Sequence, residues 1–447
     1  MITFRMFNFG CRASQADGAT LRAQLVEAGF AEADRNARSD LTILNTCTVT
    51  ATADAEVRQV IRRIHREHPE CRVLVTGCYA QRAPEELAAL DGVAWVVGNS
   101  HKRLIPEILK RELASAGDDS APARKRERSV WAGEISPEFH FLPASADDRT
   151  RPTLKVQDGC NARCSFCVIP SVRGRSRSLP VQEAAAQVRA LAAKNYREVV
   201  LSGINLGTYG LDLQPRSTFF ELLETLLRET SMARIRISSI EPMDVTADLI
   251  RLVATEPRLA DHFHVPLQSG CDRILRQMNR RYWTSHYAER ILAIREMMPH
   301  GGIGADVMVG FPGETDQDHS LSAQFIDSLP FTYLHIFPYS ARPSTPAADR
   351  QDQVNGRIAH ERGAELRRLI TGKRRRFLEA QVGRTLPALT LNEPLPDGPV
   401  ALCSNYLKVV LPGSGAPGNQ LMDVRVQRVY GDGLAGHPDR LYYQLQA

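Results

Sequence analysis

The sequence lacks any long apolar run, and this absence excludes a helical membrane span. No stretch of about 18 consecutive apolar residues occurs in the chain of 447 residues. The opening MITFRMFNFGCRAS also lacks the basic start, the apolar core and the small-residue cleavage site of a secretory signal. We therefore expect a cytoplasmic protein with no membrane partner.

Cysteine is scarce as well. Nine cysteines in a chain of this length are too few for a disulfide framework. In a reducing compartment their spacing instead indicates metal or redox chemistry. The formal net charge of +5 permits a nucleic-acid partner without requiring one. With 43% hydrophobic residues, the chain can bury a large core and should form two or three domains.

The order of apolar runs and helical patterns predicts an α/β fold. The first series, with one helix expected from Ala19 to Ala28, predicts a parallel sheet flanked by helices. A second series of six strands alternating with helices predicts a partial βα barrel. Short strands between Pro and Gly turns then predict a small all-β barrel. The predicted domains are 1–113, 146–375 and 378–447, with a Pro-, Ser- and charge-rich linker at 114–145.

Three cysteines, Cys160, Cys164 and Cys167, lie in the segment DGCNARCSFCVIP directly after the first strand of the second series. Three thiolates can ligate three irons of a cubane cluster and leave the fourth iron without a protein ligand. A structural zinc site is the alternative, but zinc favours four ligands and no fourth Cys or His lies nearby in the sequence. The spacing therefore predicts an iron–sulfur cluster with one open iron.

Three more cysteines, Cys11, Cys47 and Cys78, each follow a predicted strand of the first series. Because the carboxyl ends of parallel strands meet at one edge of a sheet, these thiols should converge and hold a second cluster. Gly10 and Gly77 would permit the close backbone approach that this requires. A small buried hydrophobe is the alternative for any one strand-end cysteine, and buried structural thiols are expected at the remaining positions, Cys71, Cys271 and Cys403.

The CxxxCxxC loop at the start of a six-strand βα series resembles the radical SAM superfamily. The second cysteine set, together with the segments NTCTV, TGCYAQ, SGINLGTYG, HVPLQSGCDRILRQMNRRY and VGFPGET, narrows this resemblance to the radical SAM methylthiotransferases, whose C-terminal module is a TRAM domain. The chain departs from the family pattern at one place. It reads GCRASQADG, with Ser14 where the family usually has Asn.

This resemblance implies two [4Fe-4S] clusters, the first on Cys11, Cys47 and Cys78. The second, on Cys160, Cys164 and Cys167, would bind S-adenosylmethionine and cleave it to a 5′-deoxyadenosyl radical. No conventional acid or base is expected. The residues expected to contact S-adenosylmethionine follow strands or flank the cysteines: Phe166, Gly203, Asn205, Ser239, Glu241, Gln268, Gly310 and Gly313. An ordinary turn is the alternative for the glycines, and a core aromatic for Phe166.

Two basic segments indicate an RNA partner. The segment RGRSRS resembles the branch of the family that modifies N6-threonylcarbamoyladenosine, and its Arg173, Arg175 and Arg177 could pair with phosphates or with the threonyl carboxylate. A solvated loop is the alternative. A cationic helix with Lys373, Arg374, Arg375 and Arg376 leads into the β module, a combination suited to RNA, although such a run can also be a solvated face.

The leading hypothesis is a tRNA methylthiotransferase that adds a 2-methylthio group to N6-threonylcarbamoyladenosine beside the anticodon, at position 37. An alternative in the same class acts on tRNA with isopentenyladenosine or on an aspartate of a ribosomal protein. An alternative of another class is a non-catalytic iron–sulfur protein that binds RNA or acts as a sensor. An electron donor and a sulfur source of unknown identity are expected partners of the enzyme.

Overall fold

The computed structural model describes residues 1–34, 37–114, 129–136, 150–393 and 395–441. They form two compact units, and each unit is built from three separate stretches of the chain. The first unit comprises the described residues within 1–145, 158–177 and 340–348, and the second comprises those within 146–157, 178–339 and 349–447. No helix among these residues is long and apolar enough to cross a membrane. The predicted domain boundaries stay a prediction.

The first unit is built on a six-stranded parallel sheet in the order β2-β1-β3-β4-β5-β6. Ile43 packs with Phe4 on one face and the next residue, Leu44, packs with Val57 on the other, so both faces are covered as in other parallel sheets. The predicted parallel sheet is confirmed. Its elements are β1 (Thr3–Asn8), α1 (Arg12–Glu27), β2 (Ala31–Glu32), β3 (Leu41–Thr46), α2 (Ala51–Glu67), β4 (Arg72–Gly77), α3 (Cys78–Arg82), α4 (Pro84–Ala88), β5 (Val93–Gly98), a 3₁₀ turn (Lys102–Leu104), α5 (Ile105–Ala114) and β6 (Ser129–Trp131).

Two features of this unit differ from the sequence prediction. Helix α1 begins at Arg12, directly after Cys11, and not at Ala19. Its first turns carry small buried residues in place of large apolar ones, and Gly18 packs so closely on Asn8 that a Cβ would lie 1.7 Å from the Asn8 Oδ1. The predicted linker, 114–145, lies mostly outside the described residues, but its segment 129–131 forms the edge strand β6.

The second unit contains two three-stranded parallel sheets, β11-β10-β7 and β12-β13-β14. A parallel bridge between Ser239 and His264 links them, so six strands form the predicted partial barrel, which is confirmed. The elements of this stretch of chain are β7 (Thr153–Lys155), β8 (Gln157–Asp158), α6 (Ile169–Arg173, in the first unit), β9 (Arg177–Ser178), α7 (Val181–Ala193), β10 (Glu198–Ser202), α8 (Phe219–Glu229), β11 (Arg234–Ile237), α9 (Ala247–Thr255), β12 (His262–His264), α10 (Asp272–Gln277), α11 (Thr284–Met297), β13 (Gly302–Val309), α12 (Asp316–Ser328) and β14 (Tyr333–Pro338), with 3₁₀ turns at Leu206–Thr208 and Pro242–Asp244.

The C-terminal part is a long helix followed by a closed five-stranded barrel, as predicted. The strands close in the order β15-β16-β17-β19-β18 around a fully buried core that includes Val409, Met422 and Leu434. Closure removes free sheet edges, which suits a small module. The elements are α13 (Gly356–Glu379), β15 (Thr385–Thr390), β16 (Val400–Cys403), β17 (Lys408–Val410), β18 (Leu421–Tyr430) and β19 (Gly433–Leu441).

A buried ion cluster holds this small barrel against the strands of the partial barrel. Glu198 is 0% exposed and receives Arg234 Nε at 2.5 Å and Arg236 Nε at 2.9 Å. Burial opposes the charge of Glu198, but the two guanidinium groups hold its carboxyl pKa well below the usual range. The same arginines donate to the carbonyls of Leu402 and Ser404 in the small barrel. One carboxylate therefore fixes both arginines.

We predict that Glu198→Gln destabilises the protein by about 3–5 kcal/mol, because it leaves two buried guanidinium charges without their carboxylate. Thermal and urea unfolding would measure the loss. The control is Glu224→Gln on helix α8, which changes an exposed glutamate and should stay within about 0.5 kcal/mol of the parent. Equal unfolding curves for both variants would contradict a central role of Glu198.

Candidate metal centres and barrel interior

The first cysteine set lies at one edge of the first unit's sheet. Cys11, Cys47 and Cys78 follow β1, β3 and β4, which are neighbours in the sheet. Gly10, at φ +94°, packs so closely that a Cβ there would lie 2.8 Å from the Cys47 Sγ. Gly77, at φ +100°, would place a Cβ 2.4 Å from the Thr46 carbonyl oxygen. Glycine is therefore required beside two of the three cysteines.

The chemistry of these thiols fits a metal centre. Cys47 and Cys78 are buried, while Cys11 is exposed. Burial raises the pKa of the Cys47 thiol to about 12, and the nearby thiols of Cys78 and Cys11 add to the shift. Burial therefore disfavours the Cys47 thiolate, whereas metal ions bind cysteine as the thiolate. Three cysteine donors with one open side fit a cluster that keeps an open iron. Their assignment as ligands stays a prediction.

A buried guanidinium lies beside this cysteine set. Arg173 is 2% exposed, and its Nη1 contacts Asp158 at 3.0 Å while its Nη2 contacts Asp17 at 3.0 Å. Nη2 also donates to the Ser14 Oγ at 3.1 Å, which in turn lies 3.7 Å from the Cys11 Sγ. Burial opposes the charge, but Asp158 above all holds the Arg173 pKa well above its usual range. The side chain therefore contributes a fixed positive charge close to the thiols.

Ser14 thus has a defined role at the position where the family usually has Asn. It is 1% exposed, and its hydroxyl lies between Arg173 and Cys11. Its carbonyl accepts from Asn45 Nδ2 at 2.6 Å. These contacts define the local hydrogen bonding at this position.

The segment after Cys167 forms one wall of the first cysteine site. Cys78 packs against Val168 and Val172, which lie just beyond the second cysteine set. Asn99 Nδ2 donates to the Val172 carbonyl at 2.8 Å and lies 3.6 Å from the Cys78 Sγ. The two cysteine sets therefore share the short segment 168–173.

The second cysteine set occupies a compact loop of the first unit. Cys160, Cys164 and Cys167 are half-buried and form no disulfide. The Ala162 amide points at the Cys160 Sγ at 3.4 Å, and the Cys167 amide donates to the Cys164 carbonyl at 3.2 Å. Backbone N–H groups directed at sulfur stabilise thiolate ligands. Phe166 is half-buried in the same loop. These donors fit the predicted cluster.

Two arginines of the RGRSRS segment have internal hydrogen-bond partners. Arg173 is occupied as described, and Arg177 is 8% exposed and donates to the carbonyls of Ser136, at 3.0 Å, and Arg173. Only Arg175 is exposed. Internal acceptors bind the guanidinium groups of Arg173 and Arg177. The contact with phosphates or a threonyl carboxylate stays a prediction.

Unpaired polar atoms lie at the carboxyl ends of the barrel strands in the second unit. Asn205 Oδ1, Ser238 Oγ and Gln268 Oε1 are buried and have no hydrogen-bond partner among the described residues. They follow β10, β11 and β12. Buried polar atoms are normally paired, so these three atoms are available to a ligand or to water. A ligand rich in hydroxyl and amino groups, such as S-adenosylmethionine, fits them.

The other predicted cofactor residues of the barrel are mostly explained by internal packing. Gly310 and Gly313 adopt positive φ. A Cβ at Gly310 would lie 2.5 Å from the Ala359 Cβ, and a Cβ at Gly313 would lie 2.4 Å from the Asp352 Oδ2. Glu241 is paired with Arg280. A Cβ at Gly203 would lie 2.7 Å from Leu206 Cδ2, and Ser239 forms the bridge to His264. A cofactor role for these five residues stays a prediction.

Sequence reasoning missed several polar residues that the structure brings to these sites. Asp17, Asp158 and Asn99 gave no local signal, because their partners are distant in the chain. Asp306 and His335 did give one. Each interrupts an otherwise apolar parallel strand, GIGADVMV or YLHIFP, where continuous apolar runs are the rule.

Comparison with known proteins agrees with this architecture. Residues 3–98 match the family described as "Uncharacterized protein family UPF0004", and residues 154–326 match the radical SAM superfamily. A solved radical S-adenosylmethionine methyltransferase from Kitasatospora setae superposes with a TM-score of 0.56 at 16% identity, covering 78% of this chain and 75% of that one. This likeness concerns the fold alone. Fold and cysteine loop together define a radical SAM enzyme.

Two relatives specify the family. A threonylcarbamoyladenosine tRNA methylthiotransferase of Aquifex aeolicus is 39% identical over 86% of this chain and 92% of its own length. A tRNA-2-methylthio-N(6)-dimethylallyladenosine synthase of Pelotomaculum thermopropionicum is 31% identical over 88% of this chain and 87% of its own. The chain belongs to the radical SAM methylthiotransferase family.

We predict that Arg173→Met lowers both the stability of the protein and its iron content. The change leaves Asp17 and Asp158 buried without their guanidinium, at a cost of about 3–5 kcal/mol. Thermal unfolding and iron per chain after anaerobic reconstitution would measure the two effects. The control is Arg175→Met, in the same segment but exposed, which should keep both values. Parental iron content and stability in Arg173→Met would contradict the assigned role of Arg173.

Proposed function

We propose that this protein is a tRNA methylthiotransferase that adds a 2-methylthio group to N6-threonylcarbamoyladenosine at position 37, beside the anticodon. The single observation that carries the proposal is the presence of two separate three-cysteine sets in a radical SAM enzyme whose relatives include the Aquifex aeolicus protein. One set serves radical formation and the other serves sulfur transfer. An electron donor and a sulfur source, both unidentified, complete the reaction in the cytoplasm.

The chain's own residues bind and orient the cofactors and the substrate, and they exclude water. When bound, the clusters and S-adenosylmethionine supply the radical and sulfur chemistry that an inert adenine C–H bond requires. Cys160, Cys164 and Cys167 would hold one cluster, and Cys11, Cys47 and Cys78, of which Cys11 is exposed, would hold the other. The unpaired atoms of Asn205 and Gln268 would orient S-adenosylmethionine. No side chain needs to act as a general base.

Replacing each cysteine set by alanine should separate the two roles. Cys160→Ala/Cys164→Ala/Cys167→Ala should remove about half of the iron and all reductive cleavage of S-adenosylmethionine, because each set would hold one cubane cluster of the same size. Cys11→Ala/Cys47→Ala/Cys78→Ala should also lose about half of the iron and keep cleavage, but make no methylthio product. Iron analysis and 5′-deoxyadenosine assays would measure this.

The matched control is the triple change of the remaining thiols to alanine, Cys71, Cys271 and Cys403, which are buried in other parts of the fold. It should keep the iron content and cleavage of the parent. Methylthio product from the Cys11, Cys47 and Cys78 variant would refute a sulfur-transfer role for that set.

An RNA surface is proposed at the end of α13 and on the adjoining β module. Lys373 and Arg374 each donate a hydrogen bond to a backbone carbonyl. Lys373 Nζ donates to the Asp327 carbonyl at 2.5 Å, and Arg374 Nη2 donates to the Asp432 carbonyl at 2.7 Å. Arg375 and Arg376 are exposed. On strand β18, Arg425 and Arg428 are also exposed, and the Arg428 guanidinium lies 5.0 Å from the centre of the Tyr430 ring. Cations beside an aromatic ring suit phosphates and unstacked bases.

Charge reversal at the two exposed arginines of α13 should weaken tRNA binding. For Arg375→Glu/Arg376→Glu we expect a lower affinity and a shallower dependence on salt, because fewer counterions are released. Fluorescence anisotropy with tRNA at several salt concentrations would measure both. Arg228→Glu/Arg251→Glu, on helices α8 and α9, makes the same net charge change at exposed sites and should alter binding less. Equal losses in the two variants would refute a localised RNA surface.

The alternative substrate is tRNA with isopentenyladenosine, which is also called dimethylallyladenosine. The Pelotomaculum thermopropionicum relative supports it, at lower identity than the Aquifex aeolicus protein. Mass spectrometry of tRNA nucleosides from cells with and without this gene separates the two. Loss of the methylthio form of threonylcarbamoyladenosine alone supports the proposal. Loss of the methylthio form of dimethylallyladenosine alone would refute it.

A further inference from the structure

The inner face of the second half of the barrel carries a continuous chain of hydrogen-bonding side chains. His262 Nε2 lies 2.8 Å from the Tyr333 hydroxyl, which lies 2.9 Å from His264 Nδ1. His264 Nε2 is 3.1 Å from Asp306 Oδ1. The same oxygen lies 3.1 Å from His335 Nδ1. Five side chains on three neighbouring strands thus form one polar network.

The strand register explains how these side chains meet. Gly304 pairs with both His264 and Tyr333, and Asp306 pairs with His335. A Cβ at Gly304 would lie 2.0 Å from the Tyr333 ring, so the missing side chain lets the ring lie across β13 and reach His264. Ile303 and Ala305, on the other face of the strand, are 0% exposed. The polar network therefore occupies the face of the strands opposite to the apolar core.

The protonation of the network follows from Asp306. Burial opposes its charge, but the hydrogen bonds from His264 and His335 hold the Asp306 pKa well below its usual range. An ionised carboxylate only accepts, so both imidazoles donate to it. The Nδ1–H of His335 is thereby committed to Asp306, and its ring orientation is fixed.

His335 is the open end of the network. Its side chain is 61% exposed, whereas that of His264 is 10% exposed. Among the described residues, the second ring nitrogen of His335, Nε2, has no hydrogen-bond partner. In the imidazolium form of His335 both ring nitrogens carry a proton, so Nε2–H is a charge-assisted donor while Nδ1–H stays on Asp306. The site is therefore suited to a carboxylate ligand.

We propose that His335, oriented by Asp306, binds the carboxylate of the threonylcarbamoyl group on the substrate nucleoside. This assignment rests on the proposed function and makes His335 a residue that selects this substrate. A dimethylallyl group offers no hydrogen-bond acceptor, and it would remove water from His335 and Asp306 without replacing the contact. The methionyl carboxylate of S-adenosylmethionine has the same chemistry, and the test distinguishes the two sources.

The test uses the full-length reconstituted enzyme and two synthetic anticodon stem–loops. One carries N6-threonylcarbamoyladenosine, and the other carries the same nucleoside with its carboxylate converted to an amide. We expect His335→Ala to raise the KM for the acid stem–loop by about 10- to 100-fold, the effect of losing a hydrogen bond to a charged group. Its KM for the amide stem–loop, already high in the parent enzyme, should change little.

Two further variants sharpen the result. His335→Gln keeps a donor amide without the charge and should fall between the parent and His335→Ala. His286→Ala, which removes an exposed histidine from helix α11, is the matched control and should behave as the parent. Because His335 is largely exposed, its variants should fold, and thermal unfolding checks this.

Three outcomes would overturn the assignment. Equal use of acid and amide stem–loops by the parent would exclude recognition of the carboxylate. A raised KM for S-adenosylmethionine, or reduced RNA-independent cleavage in His335→Ala, would assign the site to the cofactor instead. A parent enzyme that cleaves S-adenosylmethionine but leaves the threonylcarbamoyl stem–loop unmodified would overturn the proposed function, and with it the identity of this ligand.

Discussion

The buried charge of Arg173 is the constraint on which the arrangement of the first unit depends. Its guanidinium joins helix α1, through Asp17 and Ser14, to Asp158 at the start of the second cysteine loop. A buried cation is costly unless it is paired, so these partners must come together for the unit to fold. The same requirement brings the segment 168–173 against Cys78. Folding and the shape of the first cysteine site thus have one cause.

The second unit also contains buried arginines paired with a carboxylate, and there they join the small barrel to the partial barrel. Glu198 fixes Arg234 and Arg236, which then donate to backbone carbonyls of the small barrel. Guanidinium groups suit this task because they offer several donors in a fixed plane. Hydrophobic packing alone is non-directional, whereas these hydrogen bonds specify one docking geometry. The buried arginines at both places bind internal partners.

The residues proposed for chemistry follow a simpler rule. They all follow parallel strands, at the point where the chain leaves the sheet. This holds for the first cysteine set and for the unpaired atoms of Asn205, Ser238 and Gln268. The His262–His335 network is different, because it lies within strands β12 to β14. A barrel of six strands leaves its interior open enough for such polar side chains, whereas a closed eight-stranded barrel fills it with apolar ones.

The sequence by itself determined the order of strands and helices, the partial barrel, the closed β module and the edge at which Cys11, Cys47 and Cys78 meet. These features depend on periodicity and on the geometry of parallel strands, which are local or general. Only the tertiary structure decided which arginines are exposed, since Arg173, Arg175 and Arg177 look alike in the sequence but differ in their buried partners. It alone also joined His264, Asp306 and His335, because contacts between distant residues depend on strand register, which no local pattern encodes.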